Sequence, residues 1–136
     1  MRFILTLAAL ALAFTLPAQA RPLDRGGLIS RYQQEIAAAR GPHVIAGDCL
    51  SACTLWLGYR GSCVEPDAVL WVHSASSGWP DRNPWADRNA IGSAIMADSY
   101  PPALRRLVLA HGWLATPEFH TLTGREVIGL GARACK

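Results

Sequence analysis

Ser51 and His73 are the two residues whose chemical types and surroundings could support acyl transfer. Serine is a weak nucleophile until a neighbouring base takes its proton, and a neutral imidazole is the usual base near pH 7. Ser51 stands in Asp48-Cys49-Leu50-Ser51-Ala52-Cys53, just ahead of the apolar run Leu55-Trp56-Leu57, and the small Ala52 leaves its hydroxyl approachable. A helix beginning there would turn free main-chain N–H groups and a positive dipole end toward a developing oxyanion. Each residue alone has a plainer role. Serine is a favoured helix N-cap, and a histidine ending a strand ordinarily hydrogen-bonds at the surface. What separates chemistry from these roles is joint placement, which depends on the elements around them.

Val44-Ile45-Ala46-Gly47 reads as a short apolar strand, and Ala68-Val69-Leu70-Trp71-Val72, ending at His73, is the most strand-like run. Neither alternates, as expected of strands covered on both faces. The intervening stretch from Asp48 holds a turn and a helix from Ser51 to about Tyr59, enough for a right-handed crossover, so the two strands are predicted to be parallel neighbours. Ser51 and His73 would then leave the sheet at the same carboxyl edge, where ligands of open α/β sheets gather. Elsewhere, helical spacing marks Leu28 to Arg40, closed by Gly41-Pro42. Asn89–Tyr100 and Pro101–Gly112 are further helices, Thr116-Pro117-Glu118 and Thr123-Gly124-Arg125-Glu126 look like short helix starts, and residues 74–88 form a long loop.

The whole chain has 136 residues, 51% hydrophobic, with a net charge of +3. Those totals include a leader. Arg2, the apolar run Phe3 to Leu16 and Pro17-Ala18-Gln19-Ala20 have the layout of a secretory signal peptide, and the run is short of the roughly 20 residues a membrane-spanning helix needs. Residues 1–20 are therefore expected to be cleaved, leaving no stable membrane insertion. Residues 21–136 carry 12 Lys+Arg against 10 Asp+Glu, all scattered. One α/β domain is the expectation, with no nucleic-acid partner, since such partners need clustered basic residues. The four cysteines, Cys49, Cys53, Cys63 and Cys135, would meet an oxidising compartment, periplasmic or secreted, and can form two disulfides in three pairings. Cys-x3-Cys followed by two distant single cysteines is a poor match to zinc knuckles, so no metal is expected. No cofactor is implied.

Taken in order, Gly26-Gly27, a helix, an apolar strand, a turn with Ser51-Ala52, a helix, Pro66 and a strand ending in His73 resemble the Clp protease proteolytic subunit (ClpP) and its crotonase-fold relatives. The run Gly47 to Thr54, containing Cys49-Leu50-Ser51-Ala52-Cys53-Thr54, is most similar to small exported ClpP-like proteins. The resemblance covers Arg25 to His73, with a weaker match at Leu122 to Glu126. It implies a reduced ClpP/crotonase-like fold, a short parallel sheet with flanking helices, and a front end truncated before Gly26. It also implies Ser51 as nucleophile, His73 as general base, and oxyanion donors at Gly26, Gly27 and Ala52. The family's catalytic aspartate falls near Phe119, which makes Glu118 the candidate acid; Asp98 is the alternative. In the similar proteins a cysteine pair brackets the serine, which implies Cys49–Cys53 and leaves Cys63–Cys135.

The function so implied is a serine hydrolase acting on a peptide or ester, against a non-catalytic binding or interaction module that keeps the fold. Trp79 and Trp85 are placed to line or cover a pocket after His73. Trp56, Trp71 and Trp113 are expected in the core, His43, His111 and His120 at the surface, and Arg105-Arg106 on the solvated face of a helix.

Overall fold

A computed structural model describes residues 20–77 and 88–136. The expected leader, apart from Ala20, and both Trp79 and Trp85 lie outside the described residues. Among those described, no helix is long and apolar enough to cross a membrane.

Among the described residues, six short strands and four α-helices make a mixed α/β fold. The larger sheet runs β1 (Leu23–Asp24), β3 (Asp48–Leu50), β5 (Val69–Val72), β6 (His120–Thr123), the first three parallel and β6 antiparallel to β5. A smaller sheet pairs β2 (His43–Ile45) with β4 (Ser62–Val64), also parallel. The expected pairing of residues 44–47 with 68–72 is thus corrected. Gly47 explains the difference: it sits at φ +61°, with its α-carbon so close to Pro22 that a Cβ would lie 2.0 Å from the Pro22 carbonyl oxygen. That left-handed kink splits one apolar stretch between two sheets. Ile45 O accepts from Glu65 N–H on the small-sheet side, and Gly47 O accepts from Val69 N–H on the other. The true parallel neighbour of β5 is Asp48–Leu50, read from sequence as a turn.

Helix α1 (Ile29–Ala38) is shorter than its apolar spacing suggested, and Arg40 covers its last carbonyls at Ala37 and Ala39. The segment Ser51–Gly58 is helical throughout but of the tighter 3-10 type. Helix α2 (Ala90–Ser99) is capped by the Asn89 side chain, which accepts from Gly92 N–H at 2.9 Å. Helix α3 (Pro102–Ala110) begins on a proline, and Gly112, in the left-handed region, follows its end. Thr116–Glu118 starts no helix; it leads into β6, which the sequence reading lacked. Helix α4 (Gly124–Gly129) is opened by a capping box, with Thr123 and Glu126 each satisfying the other's main-chain N–H.

The core lies between the larger sheet and the helices: Leu70 and Val72 of β5, Met96 of α2, Leu104 and Val108 of α3, and Tyr32 of α1 are all essentially inaccessible. Trp56 is buried as expected, whereas Trp71 and Trp113 are only half-buried. His43 is not a free surface residue but stacks on Trp56 at 3.7 Å, and Trp113 stacks on His111 and His120. Both disulfides form as the resemblance implied, Cys49–Cys53 and Cys63–Cys135. They fit an oxidising compartment.

Candidate active site

The carboxyl ends of three parallel strands deliver the expected groups to one edge. β1 leads into Gly26-Gly27, β3 into Ser51 and β5 into His73, with Asp24 opposite Cys49 and Leu50 opposite Trp71. The front end implied to be missing is in part present, since β1 lies directly before Gly26. The common placement of Ser51 and His73 therefore holds, through β3 rather than through residues 44–47. A cavity of about 680 Å³ opens at this edge, lined among others by Gly27, Ile29, Ser51, His73, Met96 and Phe119.

Ser51 sits at φ +55°, the only described non-glycine residue in the left-handed region. Such a conformation costs on the order of 1 kcal/mol and persists only where the surroundings impose it. Three contacts do so. The Cys49–Cys53 disulfide spans the bend. Thr54 Oγ1 donates to Ser51 O at 2.7 Å, and the buried Tyr100 hydroxyl bonds to the same Oγ1 at 2.7 Å. Gly26 packs under the bend, where a Cβ would lie 2.4 Å from Leu50 O, 3.1 Å from Ala52 N and 3.1 Å from Ser51 Cβ. Burial pushes the Tyr100 hydroxyl well above its ordinary value, so it stays a neutral donor.

The glycine loop is itself fixed by Asp24. Its Oδ1 accepts from Gly26 N–H at 2.9 Å and from the Tyr32 hydroxyl. Burial, with the bond to Asp24 adding to it, pushes that hydroxyl up to about 12. Of the three expected oxyanion donors, the Gly26 N–H donates to Asp24, Ala52 is buried at the start of the Ser51–Gly58 helix, and Gly27, at φ +146°, lines the cavity.

Gly26→Ala is expected to cost more than about 2 kcal/mol of stability, because a side chain is disfavoured at φ +74° and would collide with backbone that cannot yield. Gly41→Ala, with open space around it, is the control and should change stability by less than about 0.5 kcal/mol. Urea midpoints of the two variants measure both, and equal midpoints would refute the role given to Gly26.

His73 is half-buried, and desolvation pushes its pKa below the ordinary imidazole value, partly opposed by a hydrogen bond with the Ser74 backbone. Phe119 packs against it with ring centroids 4.4 Å apart and also meets the edge of Trp71. Among the described residues no hydrogen bond joins Ser51 Oγ to His73; they share a cavity. Glu118, the candidate acid, is exposed and does not line that cavity. Asp98 is engaged instead with Arg105 at 2.7 Å on the surface, so Arg105 does more than face solvent. The described residues contain no cluster of three or more His, Cys, Asp or Glu able to hold a metal ion.

Sequence reasoning missed Phe119, Asp24 and the Thr54–Tyr100 pair. Asp24-Arg25-Gly26 carries a legible signal, since an aspartate side chain commonly accepts from the N–H two residues on. The others are long-range contacts with no local mark. Comparison of the chain with models of protein families, with curated proteins and with solved structures found no match in any of the three.

Proposed function

We propose that the protein is an exported ClpP-like serine hydrolase, periplasmic or secreted after loss of residues 1–20, in which Ser51 is the nucleophile and His73 the general base. The observation that carries this reading is the strained bend at Ser51, which presents the residue at the end of β3 to the cavity that also receives His73 from β5. Strain maintained by a disulfide, a hydrogen-bonded pair and a glycine contact is costly unless the position has a use. Two disulfides support the exported location.

In this mechanism His73 takes the Ser51 proton as Oγ attacks the substrate carbonyl. The oxyanion is stabilised by the Gly27 main chain and by the N-terminal end of the Ser51–Gly58 helix. The leaving group departs with the proton held by His73, leaving acyl-Ser51. Water then gives a proton to His73 and attacks the acyl group, and Ser51 regains its proton as the acid leaves. Burial keeps the His73 ring neutral, the form a base requires. A dyad without an acid is chemically sufficient but slower than a triad.

The exposed position of Glu118 and the unbonded Ser51–His73 pair favour the second reading, a non-catalytic binding module that retains the fold. Fluorophosphonate labelling of the disulfide-intact protein decides between them. The hydrolase forms one adduct that Ser51→Ala abolishes. Absence of a Ser51-dependent adduct assigns the chain to the binding module.

A further inference from the structure

Three of the six large hydrophobic residues that stand exposed among the described residues, Leu28 (67%), Ile91 (77%) and Phe119 (50%), lie on the rim of the Ser51 cavity. Ile29, Ile95 and Met96 add apolar surface to the same cavity, whose lining also includes Arg25, Gln33 and Asn89. Exposed apolar side chains that converge on one concavity mark a surface that an apolar partner covers. From this we infer that the site takes an ester whose acyl group is a medium-length aliphatic chain, rather than a peptide, an assignment that rests on the hydrolase reading above.

The sheet order supports the choice. A peptide held beside a nucleophile is commonly bound by adding a strand to a free sheet edge. Here β3 and β5, which deliver Ser51 and His73, each have a paired strand on both sides. No main-chain edge of either strand is open to a substrate backbone. An aliphatic chain makes no such demand, since it needs only apolar walls. In the reaction the ester C–O bond breaks, the alcohol leaves with the proton from His73, and water releases the fatty acid from Ser51, so the step needs no other co-reactant.

The test uses p-nitrophenyl acetate, butyrate, hexanoate and octanoate with the mature, disulfide-intact protein, alongside a chromogenic leucyl-peptide anilide. Removing each methylene from water is worth about a two- to fourfold gain in kcat/KM, so octanoate should exceed acetate by about 60-fold or more, with the anilide poorer than any ester. Ile91→Glu, at a position exposed enough for the fold to accept it, should lower the octanoate-to-acetate ratio about tenfold. Leu109→Glu, equally apolar in the parent but outside this cavity, should leave the ratio unchanged. A ratio flat with chain length, preference for the anilide, or an Ile91→Glu ratio equal to the parent's would overturn the acyl-chain assignment while leaving the hydrolase in place. Loss of every Ser51-dependent turnover and adduct would remove both.

Discussion

Replacing His73 by alanine is expected to lower ester turnover about 10³-fold, and adding Ser51→Ala to lower it no further. A nucleophile and its base act as a unit. Once the base is gone the serine hydroxyl keeps its proton, and removing the hydroxyl as well takes away nothing that was still working. In the proposed mechanism the same histidine should set the acid limit of activity. Its pKa lies below the usual value near 6.5 because burial disfavours the charged ring. The neutral base therefore persists as the pH falls through 6.5, and kcat/KM should decline only at lower pH. Phe119→Ala removes the ring packed on His73, admits water, and should move that limb upward toward 6.5. Additive losses in the double variant, or a limb above 6.5 in the parent, would remove His73 from the mechanism.

The sequence brings Ser51 and His73 to one sheet edge even though it misassigns a strand. Both Gly47 and Leu50 lie on the same side of Ser51, so an error of one strand still sends Ser51 off the carboxyl edge beside β5. What local pattern could not show was the split at Gly47. Val44 to Leu50 is apolar or small except at Asp48, and only the approach of Pro22, from a segment 25 residues earlier, shows why the chain must bend there. The placement of Glu118 was hidden for a related reason. It was the candidate acid because the resembled family's aspartate falls near Phe119, whereas with His120–Thr123 paired to β5 it is Phe119 that packs on His73 while Glu118 stands exposed. Pairing across about 50 residues leaves no mark in a four-residue strand. By contrast the capping box at Thr123–Glu126 and the Asn89 cap were legible because their physics is confined to a single helical turn.

The two disulfides divide structural work in a way that Cys63→Ser/Cys135→Ser will reveal. Their sequence separations are 72 and 4 residues. In the chain-entropy model the long closure is worth about 4 kcal/mol and the short one about 2 kcal/mol. Losing Cys63–Cys135 should therefore be the larger global effect, lowering the melting temperature by about 15 °C in a domain of this size. The fold should nonetheless survive below that temperature. The C-terminal tail remains tied to β4 by Val64 N–H to Arg133 O, Cys135 N–H to Val64 O, and Arg133 to the carbonyls of Gly61 and Ser62. The edge that carries Ser51 lies at the other sheet, so fluorophosphonate labelling of Ser51 should persist in this variant at 20–25 °C. Cys49→Ser/Cys53→Ser should show the reverse: a smaller loss of melting temperature, because little chain is released, but slower labelling, because the bend that holds Ser51 at φ +55° loses one of its three restraints. Calorimetry and labelling on both double variants measure the four quantities. A short bridge that dominates stability, or labelling indifferent to its loss, would contradict the assignment of Cys49–Cys53 to the site and Cys63–Cys135 to the fold.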